Sequence, residues 1–410
     1  MIHIFTITAR NYLAIALALG ESVSRHHPEA RFTICVADGL EGVDIVLTNS
    51  NHRLFDVPGM FDQSELEDLA FKYNITEYCT SVKPAIFRKI FADEPDTDLV
   101  YYMDPDTYLF SRLEAITAAT PHKTLYLTPH LIDCRLADDH PYQEYHHLWE
   151  GIFNLGFCAI RRTADSEKIV DWWDARLRQY CYADRTDGLH TDQKWMDYAP
   201  AFFSEQLEVV RNHGANAAHW NLAERPIAEI DRKYHAGKDE LVFFHFSGFD
   251  FKGELLTKHA PAEKQKVYLT PAIIHMSKVY RTEVKKQGFD DFIKIPYAFA
   301  AFDDGTPITP TLRRLYRELV KDQPLVRPFS AQGSFFALLN KKKLLDKSDA
   351  ARGNYSKGTV DNLSAKMDRL GRILGRLLPI IGVKRYSQLV KLAGYLGRFE
   401  NHAFLLKDRV

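Results

Sequence analysis

Asp104-Pro105-Asp106 sets two carboxylates one residue apart, between apolar residues at 100–103 and 108–110. In an extended segment, residues i and i+2 point to the same side, so both carboxylates can face one point. Pro105 stiffens the turn and removes a backbone donor. Two hard oxygen ligands at the end of a buried strand suit Mg²⁺ or Mn²⁺, with phosphate oxygens filling the remaining positions. The same residues also serve ordinary strand-to-turn junctions. A partner stands far downstream, in Val242-Phe243-Phe244-His245-Phe246-Ser247-Gly248-Phe249. A lone histidine among aromatics is usually a core residue. His245, however, stands at a strand end beside Gly248, where a missing side chain permits close approach of backbone to a ligand. An imidazole can complete a two-carboxylate manganese site. Lys252, next in the chain, can then reach a phosphate.

Other candidates lie where elements begin or end. Lys83 precedes Pro84 at a helix start, a favourable place to meet phosphate. Thr8-Ala9-Arg10-Asn11 and Asp38 fall at the carboxyl ends of the first two strands, where open α/β sheets bind ligands. They are either nucleotide contacts or ordinary loop polarity. Taken alone, Asp192 reads as a helix cap, Gln193 as a surface amide and Asn154 as a turn residue feeding a strand. Asp133 lies in a long polar loop with Arg135, Asp138, Asp139 and His140.

The elements that must position these groups follow from periodicity. Strand, helix, strand over 2–8, 12–25 and 31–37, with a third β-rich run at 43–47, predicts an α/β fold with a mostly parallel sheet. Residues 64–92 read as helix, broken near 73–76 and again by Pro84. Further strands are expected at 124–128, 153–160, 207–210 and 241–246. Helices are expected over 165–182 and from Thr191-Asp192, either of which can cap the latter. A proline-spotted helical appendix covers 296–330 and a polar, basic linker 341–357.

The chain has 410 residues, 46% hydrophobic and 26% charged, with a net charge of −1. The near-zero total hides an asymmetry: residues 341–410 hold 16 Lys+Arg against 6 Asp+Glu. Within this stretch, 363–399 alternates apolar and basic positions at helical spacing, split by Pro379 and Gly382 into two amphipathic helices. That pattern fits an anionic membrane surface, or a docked helical pair with a solvated basic face. The tail has little aromatic interleaving, so no nucleic-acid partner is expected. Five widely spaced cysteines without a C-x-x-C pair argue for a reducing compartment. No signal peptide or membrane-spanning run is read, so the expected location is cytoplasmic, peripheral at the inner face of the membrane.

In order along the chain, Asp104-Pro105-Asp106, Phe153-Asn154-Leu155-Gly156, Asp192-Gln193 and His245-Phe246-Ser247-Gly248 resemble the motifs of GT-A fold glycosyltransferases of family 8, the glycogenin and bacterial lipopolysaccharide galactosyltransferase type. The resemblance covers roughly residues 1–255 and fits a divergent bacterial branch. It implies a GT-A, Rossmann-like sheet flanked by helices, followed here by an α-helical C-terminal extension. The expected division is a transferase domain at 1–258, a helical appendix at 259–340 and a basic tail at 341–410. The resemblance further implies a Mn²⁺ or Mg²⁺ ion held by Asp104, Asp106 and His245, with Asn154, Asp192 and Gln193 around the donor sugar. Lys83 and Lys252 would lie near the donor. The implied reaction moves a sugar from a nucleotide-diphosphate donor, a UDP-sugar first, to a saccharide or glycolipid acceptor, with retention. The family's last motif runs His-x-x-Gly-x-x-Lys-Pro-Trp; here Lys252 arrives one residue late and no Pro-Trp follows. The segment 214–222 has no counterpart in the better-known members. The alternatives are a metal-dependent nucleotidyl- or phosphotransferase, for which no P-loop is present, and an inactive carbohydrate-binding scaffold.

Overall fold

The computed structural model describes residues 2–47, 49–134, 144–253, 255–260, 262–321, 325–346 and 363–406. Its chain divides into two compact units, 1–60 with 75–297 and 61–74 with 298–410.

The first unit is built on a seven-stranded sheet. Its first elements are β1 (Ile2–Thr8), α1 (Leu13–His26), β2 (Arg31–Val36) and β3 (His52–Asp56). After the helices Ile75–Ser81 and Lys83–Asp93 come β4 (Leu99–Met103), β5 (Thr107–Leu109), β6 (Leu125–Pro129) and β7 (Phe153–Arg161). With Leu207–Val209 as one edge, the order runs Leu207–Val209, β6, β7, β4, β1, β2, β3. β7 pairs antiparallel with β4 and β6, and the remaining ladders are parallel. Central strands of such a sheet are covered on both faces and therefore read as continuous apolar runs. β1 shows why: successive side chains alternate faces. Ile4 joins Leu13, Ala16 and Leu19 of α1 in one core, while Phe5 meets Phe87 of the helix Lys83–Asp93 edge-on at 4.9 Å.

A second, three-stranded sheet sets Ala217–Ala218 and β5 on either side of Phe243–His245. Aromatic side chains close this side of the unit; Phe246 stacks on Tyr280 at 3.9 Å.

Three expectations change. The third strand is not 43–47 but β3, which pairs with β2 from Phe32↔His52 to Val36↔Asp56. Asn49 accepts the N–H groups of Asn51 and His52 and so starts the strand after the turn. The apolar residues before it include Val46, which is exposed. Thr191 and Asp192 cap no helix. Thr191 has φ 48°, Asp192 is engaged by Lys83, and the segment runs on as a 3₁₀ turn at Lys194–Tyr198 and a short helix at Ala199–Phe202. Over 64–92 the expected breaks are present, but the second falls at Val82, with Pro84 inside the first turn of Lys83–Asp93, and Gln63–Lys72 belongs to the second unit.

In that second unit, Phe71 from Gln63–Lys72 packs with Leu312, Leu315 and Tyr316 of the helix Pro310–Leu319 and with Phe335 and Leu339. Arg313 inserts its guanidinium there and donates to the carbonyls of Ala70, Phe71 and Tyr73 at 2.7–2.8 Å. Leu363–Leu396 is helical, contains Pro379 and turns at Gly382, where φ is 77°. Ile373, Ile380 and Val383 on it are exposed. Most of the expected linker, from 347 onward, lies outside the described residues, and no described helix is long and apolar enough to cross a membrane.

Candidate active site

The register of the small sheet brings the downstream histidine to the carboxylates. β4 ends at Met103, and Asp104 N–H donates to the Gly156 carbonyl at 2.8 Å. Across the antiparallel ladder His245 pairs with Thr107, and Phe246 N–H donates to the Asp106 carbonyl at 2.8 Å. His245 Nε2 then stands 3.1 Å from Asp106 Oδ1 and 3.7 Å from Asp104 Oδ2. One ligand atom from each of the three lies within 4.8 Å of the others. Gly156 makes the room: a Cβ there would come within 2.3 Å of His245 Cε1 and 2.8 Å of Asn154 Oδ1.

The charges at this point are unbalanced. Burial pushes Asp104 above the usual carboxylate range, against the pull of Lys83 and His245, and Asp106 adds to the rise. Burial would raise Asp106, but His245, with smaller help from a backbone hydrogen bond and His259, lowers it. His245 is in turn raised, because Asp106 and then Asp104 outweigh the burial that would lower it. Tyr102 O–H donates to Asp104 at 2.5 Å. Two carboxylates and one imidazole, with no lysine or arginine bonded to them among the described residues, form a donor set that fits a hard divalent cation.

The nearest lysine is committed elsewhere. Lys83 is almost fully buried; its ammonium donates to Asp192 Oδ2 at 2.5 Å and to the Leu155 carbonyl at 2.9 Å, and lies 3.9 Å from the Tyr102 ring centre. Burial would lower its pKa, but Asp192 and Asp104 raise it. Gln193 is no surface amide: its Nε2 donates to the Glu150 carbonyl at 2.7 Å and its Oε1 accepts the Leu155 N–H at 3.1 Å.

A cavity of about 1450 Å³ opens over these groups, and Lys83, Asp104, Asp106, Asn154, Asp192, Gln193, His245 and Lys252 all reach its wall. Lys252 is exposed, held through its backbone by Asp250. The carboxyl ends of β1 and β2 are arranged differently. Thr8 and Ala9 are buried, and Arg10 N–H donates to Asp38 Oδ1 at 2.8 Å with its guanidinium 3.4 Å from Oδ2. Asn11 Oδ1 is buried without a hydrogen-bond partner. From this segment, Tyr12 and Ile15 supply the cavity wall. Asp133 is exposed with its N–H on Glu224, and Arg135, Asp138, Asp139 and His140 lie outside the described residues.

Several residues at or behind the wall are not singled out by the sequence. Thr257 Oγ–H donates to the Ser247 carbonyl and Lys258 N–H to the Gly248 carbonyl, both at 2.8 Å. This strap brings Lys258 and His259 to the cavity. Gly248 has φ 66°, and a Cβ there would come within 2.4 Å of the His259 ring. Trp220 packs its indole edge-on against His245 at 5.3 Å. Asn216, buried with φ 58°, stands between Asn154 and His245. The spacing of Gly214-Ala215-Asn216 carries the signal for an unusual backbone, but not its address.

No family model matches the chain. Two Bacillus subtilis (strain 168) proteins are similar in sequence. The uncharacterized protein YfnD is 25% identical over 249 residues, 60% of this chain and 78% of its own length. The uncharacterized protein YfnF is 23% identical over 246 residues, 60% and 80%. Among solved structures, the galactosyltransferase LgtC in complex with donor and acceptor sugar analogs aligns over 69% of this chain and 95% of its own, at 18% identity and a TM-score of 0.41. A glycosyltransferase involved in glycosylation of the major capsid of PBCV-1 aligns over 67% and 98%, at 11% identity and a TM-score of 0.35.

Proposed function

We propose that this chain is a divalent-metal-dependent glycosyltransferase that takes a sugar from a nucleotide-diphosphate donor, a UDP-sugar first, and passes it to a saccharide or lipid-linked saccharide with retention at the anomeric carbon. The observation that carries the reading is the meeting of Asp104, Asp106 and His245 in the wall of a cavity that Asn154, Asp192 and Gln193 also reach. Asp104, Asp106 and His245 would hold Mn²⁺ or Mg²⁺. When bound, the ion supplies charge neutralisation for the diphosphate as the sugar–phosphate bond breaks. Lys252, with the neighbouring Lys258, offers cations to the same phosphates. Lys83 acts indirectly: it pins Asp192, so that a carboxylate and the Asn154 and Gln193 amides face the donor sugar. Tyr12 and Asn11, at the carboxyl end of β1, are offered to the nucleoside together with Thr8, Ala9, Arg10 and Asp38.

The test is calorimetric and thermal-shift titration with a panel of nucleotides and nucleotide sugars, with manganese and with chelator. Stabilisation by UDP or one UDP-sugar that disappears with chelator is the expected result. Failure of every nucleotide sugar to bind, with or without metal, overturns the reading and returns the scaffold alternative. The proposal extends to the basic, apolar-faced helix Leu363–Leu396 as a contact for anionic membrane lipid. Replacing Arg372 and Arg376 by Glu should release the protein from anionic vesicles; unchanged binding would remove the lipid from the proposal.

A further inference from the structure

We propose that Asn216 is the positioning residue that turns the bare nitrogen of His245 toward Asp104 and Asp106, through a hydrogen-bond chain whose polarity is dictated by backbone groups at both ends. The inference rests on the reading of Asp104, Asp106 and His245 as cation ligands.

A backbone N–H can only donate and a backbone carbonyl can only accept. Gly156 N–H donates to the side-chain oxygen of Asn154 at 3.1 Å, which makes that atom Oδ1. Asn216 meets the same oxygen at 3.0 Å, so the atom it presents must be its amide nitrogen, which also donates to Thr128 Oγ1 at 2.8 Å. The carbonyl oxygen of Asn216 is thereby left facing His245 Nδ1 at 3.3 Å. An oxygen there accepts, so Nδ1 carries the hydrogen. In a neutral imidazole the lone pair is then on Nε2, the atom 3.1 Å from Asp106 and 3.7 Å from Asp104.

The other end agrees. Glu150 C=O accepts from Gln193 Nε2, and Leu155 N–H donates to Gln193 Oε1, so that oxygen is the atom facing Asn154 Nδ2 at 3.5 Å. Turning Asn216 over would set its carbonyl oxygen against Asn154 Oδ1, two acceptors face to face, and its amide nitrogen against His245. The backbone limits the alternatives further. Asn216 has φ 58°, a left-handed conformation that asparagine enters more readily than most side chains. Two residues earlier, a Cβ on Gly214 would lie 1.9 Å from the Glu240 carbonyl oxygen.

The consequence reaches the cation directly. The opposite tautomer would aim an N–H at the carboxylates and leave the ligand set one lone pair short. Hydrogen bonds from outside the ligand set that fix tautomer and ring orientation typically change metal affinity by about 10–100-fold when removed. The chain also ties the metal-facing imidazole to Asn154 and Gln193, so the residues offered to the donor sugar and those offered to the cation share one scaffold.

The experiment uses the full-length protein and two variants. Asn216→Gly removes the amide while keeping the left-handed backbone; Asn216→Asp keeps an acceptor for Nδ1–H and loses both donations. Mn²⁺ affinity is read by calorimetry. The His245 tautomer is read from ring nitrogen shifts in the Mg²⁺-loaded protein, assigned with His245→Gln. The expected result is an Nδ1–H tautomer in the unmutated protein, a Mn²⁺ affinity about tenfold weaker or more in Asn216→Gly, and partial recovery in Asn216→Asp. An Nε2–H tautomer in the unmutated, Mg²⁺-loaded protein overturns the inference without reference to any variant. So does wild-type Mn²⁺ affinity in a folded Asn216→Gly. The control Asp106→Ala separates the two levels. If it binds Mn²⁺ normally, the cation reading itself fails; if it loses Mn²⁺ while Asn216→Gly does not, only the role of Asn216 fails.

Discussion

Among the described residues of the first unit, two places bring one histidine and two carboxylates within 4.8 Å: Asp104, Asp106 and His245, and His27, Glu29 and Glu114. They share a ligand inventory and differ in what surrounds it. At His27, Arg112 is bonded to both acids, 2.5 Å from Glu29 and 2.7 Å from Glu114. His27 Nε2 already accepts the Leu113 N–H at 2.9 Å. The cluster is neutralised from within, and Arg112 and Glu29 are about half exposed. At Asp104 and Asp106 the nearest buried cation, Lys83, is diverted to Asp192, and the imidazole is held from behind by Asn216. Proximity of ligand-type residues is therefore a weak criterion. Whether the protein has already satisfied their charge and lone pairs is the stronger one.

The buried ion pair carries the largest expected effect. Lys83→Met leaves Asp192 buried and unpaired, a loss of about 3–5 kcal/mol of stability by analogy with broken buried ion pairs; urea unfolding of the metal-free protein measures it. A loss under about 1 kcal/mol would mean that the pair is wet and that Lys83 is free to move. Next, Asp106→Ala should lower Mn²⁺ affinity by more than the about 10–100-fold typical of losing a supporting hydrogen bond, whereas Glu114→Gln should leave it unchanged in the same titration. Asp192→Asn asks the converse question. It frees Lys83 to pair with Asp104 as Arg112 pairs with its acids, so Mn²⁺ affinity should fall although no ligand is touched.

A pH series sharpens the contrast further. His245 is raised above its ordinary value of 6.5 by Asp106 and Asp104, against burial. In metal-free protein the stability it contributes is complete below the unfolded value and is lost as pH rises through the folded one. If the proposed cation binds, it replaces the proton, so the rise in melting temperature caused by Mn²⁺ should grow from about pH 6 to about pH 8. A rise that shrinks over that interval contradicts this ordering. The smallest effect belongs to the exposed cluster: Glu29→Gln should cost at most about 1 kcal/mol, as surface ion pairs do.

Several features are legible in the residues alone. The continuous apolar run at β4, and the β-rich, largely apolar runs at β1 and β2, fit strands covered on both faces. Asp104 and Asp106 do meet, but across a turn closed by Thr107 N–H on the Asp104 carbonyl at 3.0 Å and not on one face of an extended strand, and the chain turns at Gly382 as its residue type allows. Local patterning fails where a neighbour decides the outcome. The run 43–47 is apolar enough for a strand, yet β2 pairs with 52–56 after the Asn49 turn. Asp192 has the residue type and spacing of a helix cap, yet its carboxylate is taken by the buried ammonium of Lys83 and it caps no helix. Lys258 and His259 sit past the last recognisable motif, and a backbone strap folds them back onto Gly248.

Side-chain type and periods of two or 3.6 residues mark in the chain which groups could do chemistry and the local course of most strands near them. Only the tertiary structure decided that His245 reaches Asp106, that Lys83 belongs to Asp192, and that Asn216 stands behind the imidazole. Those pairings join residues 139, 109 and 29 positions apart. They are set by sheet register and by which buried polar groups must satisfy one another, neither of which leaves a local trace in the chain.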